Sequence, residues 1–227
     1  MKNKLFLLTF VVIFALFGVA GCEKDRDYDE SVVLSEAKIL IEKSIVLNDL
    51  YYGKGIAWEQ NESESNGYYY KADSLSCKSF GVQTLDDIKN LTRDCYTLDY
   101  SNQIINTKLT SITDGEGNIR GYARYYQKYN ALDDTPECIM VYKNSPVYLT
   151  DTVEYHYDTL RIEDVKGEEI FVAISVTVTN EKGESQTKEL ITSLIEQSSG
   201  YRLNQPTYVK YFDKELYDEL EKNKSKK

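Results

Sequence analysis

Gly167 to Thr179, GEEIFVAISVTVT, decides the fold class. Ile170, Val172, Ile174, Val176 and Val178 alternate without a break. A period of two sends successive side chains to opposite faces, so the segment reads as a half-buried strand. Beyond it Glu181-Lys182-Gly183 turns, and Thr187 to Gln197 returns with Leu190, Thr192 and Leu194 opposite Ile191, Ser193 and Ile195. Positions 190, 191, 194 and 195 also suit a three-four helical period; the short Gly-containing turns on either side favour a strand. Ser199-Gly200 turns into Tyr201–Asn204, and Pro206, lacking an N–H, ends the ladder. On the other side of Lys166-Gly167, Val153, Tyr155 and Tyr157 alternate before the apolar parity switches to Leu160 and Ile162. A switch inside one strand predicts a bulge or bend that curves the sheet. Further back, Tyr122–Tyr129 and Cys138–Lys143 are candidate strands around the turn-rich LDDTPE.

Before Ile119 the period is helical. Val33, Ala37, Leu40, Ile41, Ser44, Leu47 and Tyr51 recur at three and four within Ser31–Tyr52, with Glu36, Lys43 and Asn48 on the more polar side. Gly53 and Gly55 supply the stop. Trp58 to Gly67 reads as a polar loop and Tyr68–Ala72 as a short strand. Thr84 caps a second helix that carries Leu85, Ile88, Leu91 and Cys95 on one face, with Asp86 and Asp87 in its first turn. A third helix is expected from Ser101, with Ile104, Ile105 and Leu109 inward, and a last short one after Phe212-Asp213, pairing Leu216 with Leu220. Helices followed by an antiparallel meander are an α+β order. The apolar sheet face needs a cover, and the helices of residues 31–109 are the candidates. The expectation is a single α+β domain over residues 31–210, a curved sheet wrapped on helices into a cone, with residues 211–227 a short C-terminal helix and basic tail.

At the N-terminus, Lys2 and Lys4 precede an apolar run from Leu5 to Val19, followed by Ala20, Gly21 and Cys22. A positive start, a short apolar core and small residues before a cleavage point mark a secretory signal, residues 1–21. As a helix the apolar run would reach about 22 Å, short of the ~30 Å hydrocarbon core. Val19-Ala20-Gly21-Cys22 resembles the bacterial lipobox, which implies lipidation of Cys22 and anchoring at the outer face of the cell membrane. Residues 22–30, ending in EKDRDYDE, then form the lipidated Cys and a charged tether. From Cys22 onward there are 25 basic and 37 acidic residues, a net charge of −12 with His156 neutral. Such a surface argues against nucleic acid and other polyanions as partners and suits a basic one. Cys77, Cys95 and Cys138 remain, an odd number outside the cytoplasm, at spacings that match no metal knuckle. One pair plus a free thiol stays open, and Cys95 reads as a buried free thiol.

The sequence holds no Walker loop, GxGxxG, HExxH or CxxC, and no cofactor or metal is expected. Asp114-Gly115-Glu116-Gly117-Asn118 spaces oxygens as calcium loops do, but lacks the glycine at the sixth position and the acid at the twelfth, where Ile119 and Tyr125 stand. It reads as a hairpin turn. His156 is the single histidine and lies in strand parity opposite Tyr155 and Tyr157, which suits an exposed or half-exposed ring. The tyrosines cluster at 51–52, 68–70, 125–126, 148, 155 and 157. Tyrosine joins apolar area to a hydroxyl, which suits packing and partner binding alike. Neighbours along a strand point to opposite faces, so each run supplies part of any one patch. Tyr68, Tyr69, Tyr70, Tyr125 and Tyr126 are the candidate binding residues.

Tyr68 to Thr97 (YYYKADSLSCKSFGVQTLDDIKNLTRDCYT) runs strand, polar gap, capped helix, then Tyr-Thr, and the closing SSGYRLNQPTY looks like the last hairpin of nuclear-transport-factor-like cones. Among lipidated or secreted Gram-positive proteins the combination is similar to IseA-type inhibitors of cell-wall D,L-endopeptidases. The resemblance covers most of residues 33–209 in order of elements and implies a non-enzymatic binding module, an inhibitor of a basic peptidoglycan hydrolase, with no catalytic residues to carry over. A small-ligand-binding lipoprotein using the cone interior and an enzyme working through His156 are the competing expectations.

Overall fold

The computed structural model describes residues 28–64, 67–113, 115–116 and 119–212. The signal sequence, Cys22, most of the tether and the helix expected beyond Phe212 lie outside the described residues. The first helix, α1 (Glu30–Tyr52), begins where Asp29 Oδ1 accepts from the amides of Ser31 (2.9 Å) and Val32 (3.3 Å). It buries the predicted Val33, Ala37, Leu40, Ile41, Ser44, Leu47 and Tyr51, and adds Leu50 and Asn48. Asn48 corrects the expectation of a polar outward position. Its Nδ2 donates to Thr207 Oγ1 at 3.0 Å, and Thr207 also bonds Ser44, so a polar clasp holds the chain after the last strand against α1.

After α1 come β1 (Trp58–Ser63), β2 (Tyr69–Ala72), α2 (Ser74–Ser79), α3 (Leu85–Cys95) and α4 (Leu98–Lys108). Thr84 and Asp87 form the reciprocal cap of α3, with Asp87 N to Thr84 Oγ1 at 3.2 Å and Thr84 N to Asp87 Oδ2 at 2.8 Å. The Gln83 and Thr84 amides, both donating to Asp87 Oδ2, hold its carboxyl below its ordinary pKa. The third helix starts at Leu98 instead of Ser101, because Thr97 N is tied to Leu203 O at 2.8 Å and the chain turns there. The expected loop at 58–67 contains the edge strand β1, five of whose six residues are exposed. With no buried face it shows no alternation.

The short pair β3 (Ile112–Thr113) and β4 (Ile119–Gly121) is antiparallel, as the hairpin reading of 114–118 requires. The remaining strands are β5 (Tyr125–Tyr129), β6 (Pro136–Tyr142), β7 (Thr152–Lys166), β8 (Glu169–Thr179), β9 (Ser185–Gln197) and β10 (Gly200–Leu203). The α+β class and the antiparallel pairing are as expected, and 187–197 is strand. The strands are shared between two four-stranded sheets, in the orders β1-β2-β6-β5 and β10-β9-β8-β7. One core serves both: Ala72, Tyr125, Ile139 and Val141 meet the same cluster as Ile170, Val172, Leu194 and Leu203, with α1, α3 and α4 contributing. Ile170, Val172, Ile174, Val176 and Val178 are all 0% exposed. Each such side chain stabilises the fold by about 1.5–3 kcal/mol on burial.

The parity switch in β7 is a real irregularity, between His156 and Arg161 in its pairing with β8. Thr159 fills it: its hydroxyl accepts from Ser175 N at 2.8 Å and donates to His156 O at 2.7 Å, replacing ladder bonds the bulge removes.

The end of α1 fixes the position of the first sheet. Four carbonyls at a helix C-terminus lack intrahelical partners. Here the Tyr125 hydroxyl donates to Leu50 O (2.9 Å), Arg124 Nη1 to Tyr51 O (3.3 Å), Tyr148 N to Tyr52 O (2.7 Å) and Arg124 Nη2 to Gly53 O (2.6 Å). Arg124 Nη1 also reaches Pro146 O and its Nε the Tyr125 hydroxyl, at 3.2 and 3.1 Å. A cation at this end of the dipole is favourable. Gly55, at φ +66°, closes over the knot, and a Cβ there would lie 2.1 Å from the Tyr125 oxygen. Only glycine fits.

Candidate functional site: the tyrosine face of the first sheet

Pairing register decides which tyrosines meet. Tyr69 stands opposite Tyr142, Lys71 and Tyr126 both stand opposite Met140, and Lys128 stands opposite Cys138. Directly opposed residues share a face. One face therefore carries Tyr69, Lys71, Cys138, Met140, Tyr142, Tyr126 and Lys128. Tyr122 and Tyr68 complete it: ring centroids lie 4.7 Å apart for Tyr69–Tyr126, 5.5 Å for Tyr69–Tyr142, 4.8 Å for Tyr122–Tyr142 and 5.1 Å for Tyr68–Tyr122. Five rings form one connected cluster, with Tyr68 exposed, Tyr122, Tyr126 and Tyr142 half-buried and Tyr69 buried.

Tyr69 is its centre, 6% exposed, with its hydroxyl donating to Ala123 O at 2.8 Å. Burial pushes that phenol up to about 12. Tyr126 donates to the Glu64 carboxylate. Tyr68 is the most open, at 42% exposure. Tilted and edge-to-face contacts are worth about 0.5–1.5 kcal/mol per pair, so the rings are held in place before any partner arrives.

Tyr70 and Tyr125 fall on the opposite face, both across from Val141. Tyr70 packs near Trp58, centroids 6.5 Å apart, at the edge. Tyr125 is 0% exposed and belongs to the α1 knot. Of the five candidates, Tyr68, Tyr69 and Tyr126 are brought together. Tyr125 is a correction: a fully buried ring touches no partner. Tyr122 and Tyr142 were missed, since their membership depends on which strands pair. The available signal was the shared parity of Cys138, Met140 and Tyr142.

Charged groups flank the rings. Lys71 pairs with Glu62 (3.0 Å) and Glu59 (3.7 Å), and Lys128 with Glu137 (3.1 Å); the hydrogen bonds to Glu62 and Glu137 raise the two ammonium pKa values. These pairs are exposed and contribute little to stability. Beyond Glu137 and Cys138 opens a groove of about 800 Å³ that runs past Cys77, Lys78 and Gln83. Cys77 and Cys138 are free, half-buried thiols, and burial pushes Cys77 up to about 11 and Cys138 above its ordinary value. Neither is an activated nucleophile. Cys95 is the buried free thiol expected, its Sγ 3.4 Å from Leu40 O.

His156 lies far from this face in chain and sheet, on β7. It is half-buried, and its Nε2 bonds Thr177 Oγ1 at 2.8 Å, with no thiol or carboxylate bonded to it among the described residues. Among those residues no group of three His, Cys, Asp or Glu is placed to hold a metal ion, and no helix is long and apolar enough to cross a membrane.

No protein-family model and no curated protein matches the chain. The tyrosine face offers packed aromatic area, tyrosine hydroxyls and a rim of paired charges.

Proposed function

We propose that the chain is a non-enzymatic binding protein, held at the outer face of the cell membrane by lipid on Cys22, that uses the tyrosine face of its first sheet to engage a protein partner. In its most concrete form the partner is a basic cell-wall peptidoglycan endopeptidase, which it inhibits. The observation that carries the reading is the connected cluster of Tyr68, Tyr69, Tyr122, Tyr126 and Tyr142. Tyrosines are enriched at protein interfaces because a ring with few rotatable bonds loses little entropy on binding. The net charge of −12 beyond the signal would steer a basic enzyme toward it. The ordering of helices before a meander adds the resemblance to nuclear-transport-factor-like inhibitors of D,L-endopeptidases.

The test is turbidity loss of a peptidoglycan suspension during digestion by a D,L-endopeptidase, with the chain or an unrelated protein of similar acidity added. Stoichiometric inhibition by the chain alone is expected. Digestion at the control rate at tens of micromolar would contradict the endopeptidase reading. Anchoring is tested separately: Cys22→Ala should move the protein from the membrane fraction to the medium.

A second reading, a small-ligand-binding lipoprotein, is favoured by the groove of about 800 Å³ beside Cys77 and Cys138, within the usual size range of ligand clefts. An apolar ligand that copurifies with the chain and is lost on widening or filling that groove would favour it. The enzyme reading through His156 predicts loss of function in His156→Ala, whereas the binding reading predicts none.

A further inference from the structure

On the far side of Tyr122 and Tyr142 from the other rings lies a separate pocket of about 170 Å³, walled by those two tyrosines and Tyr148, with Lys108, Arg124 and Ser145 among its lining residues. We propose that it is a binding site for a small carboxylate, a group carried on a short apolar stem. The inference does not depend on what the tyrosine face binds.

Three observations converge. First, the lining holds two cations and no acid, in a chain with 37 acidic residues against 27 basic ones. Arg124 is 7% exposed, its hydrogen bonds go to carbonyls and a phenol, and it forms no ion pair among the described residues. Second, Lys108 forms no ion pair among the described residues. Its ammonium sits 4.5 Å from the Tyr52 ring centroid and 5.3 Å from that of Tyr148, and burial together with the Arg124 charge lowers its pKa. A cation desolvated over rings beside a second cation is stabilised by an anion. Third, the Ser145 hydroxyl is buried without a hydrogen-bond partner. Buried polar groups are as a rule paired, and a turn of this side chain about χ1 would present its hydroxyl to a ligand oxygen.

The size and walls select the ligand. The volume has room for several water molecules, and so for a carboxylate with two or three further carbons. Lys108 supplies the charge-assisted bond, Ser145 a second donor, and Arg124 the field behind them. The tyrosine walls suit the apolar stem. The same group occurs on a free short-chain acid and at the C-terminus of a peptide.

The experiment is an amide NMR titration of the full chain in mild detergent with propionate, propionamide, an N-blocked dipeptide with a free C-terminus, and inorganic phosphate. Propionate or the dipeptide should give saturable shifts at Lys108, Ser145 and Tyr148, and propionamide none. Binding by the dipeptide alone would assign the peptide end as the source; binding by propionate alone would assign a free acid. Lys108→Met, which keeps the apolar stem, should weaken binding about tenfold or more, and Ser145→Ala several-fold. Thr177→Val, on the other sheet and outside the pocket, should leave it unchanged. Equal shifts from acid and amide, tighter binding of phosphate than of either carboxylate, no saturable shift at all, or parental affinity in a folded Lys108→Met variant would each overturn the assignment.

Discussion

On the outer face of β8 and β9, Thr177 stands opposite Thr187, Thr179 opposite Ser185 and Ser175 opposite Glu189. On the outer face of β2 and β6, Tyr69 stands opposite Tyr142, with Tyr126 and Tyr122 against them. Both sheets turn their inner faces to one core, so neither needs aromatic residues outside to fold. Threonine meets the requirements of a solvated strand: it is β-branched, and its hydroxyl bonds across the ladder, as in Thr179–Ser185 at 2.8 Å. The long sheet spends one end of its outer face in that way, with Phe171 and the exposed Ile191 further along it. The short sheet places rings, Tyr68 the most open of them, where the long one places hydroxyls, and the proposed partner site rests on this contrast.

The comparison can be broken at the core first. Arg124→Ala takes a donor from three carbonyls and from the Tyr125 hydroxyl, which keeps only the Ile56 amide, and should cost about 4 kcal/mol. Ile174→Ala, in the apolar core under the long sheet, should cost about 3 kcal/mol. Urea unfolding measures both. A cost under about 1 kcal/mol for Arg124→Ala would mean that α1 and the first sheet are held together by something other than the knot.

Next come the faces. Tyr68→Ala with Tyr126→Ala should weaken partner binding by about 2 kcal/mol, roughly thirtyfold. Calorimetry against the endopeptidase would show it. Asp87→Asn, at the cap of the helix whose Leu85 amide bonds Gln127 of the first sheet at 2.9 Å, should cost about 1 kcal/mol near neutral pH. The folded pKa of Asp87 lies below its ordinary value of 3.8, so its contribution is complete above that value and is lost as pH falls through the lower, folded one. The stabilities of the two proteins should therefore converge as pH falls below 3.8. The smallest change is Thr177→Val, expected to stay within about 0.5 kcal/mol in stability and to leave partner binding unaltered.

Much of this arrangement was legible beforehand. The unbroken alternation of Ile170 to Val178, the spacing of Val33 to Tyr51 and the Thr84–Asp87 cap are local patterns with local causes, and they gave the class. The bulge in β7 was legible too, because a period of two cannot change parity without an extra residue. What was not legible had non-local causes or none in hydrophobicity. The edge strand at Trp58–Ser63 buries no face, and α2, capped by Asp73, has no buried residue. The division of the strands between two sheets depends on long-range pairing. So does the site: Tyr68, Tyr69 and Tyr126 were nominated from their runs, but Tyr142 joins them only because β6 lies beside β2. Tyr125 was nominated on the same grounds as Tyr126 and went to the core, one residue and one face away.

The most direct measurement compares the two outer faces in one assay. The parent chain, a Tyr68→Ala/Tyr126→Ala variant and a Thr177→Ala/Thr187→Ala variant would each be added to peptidoglycan under digestion by a D,L-endopeptidase, and turbidity followed. The account predicts inhibition by the parent and the threonine variant, and its loss in the folded tyrosine variant. Equal inhibition by all three, or loss with the threonine pair instead, would contradict it.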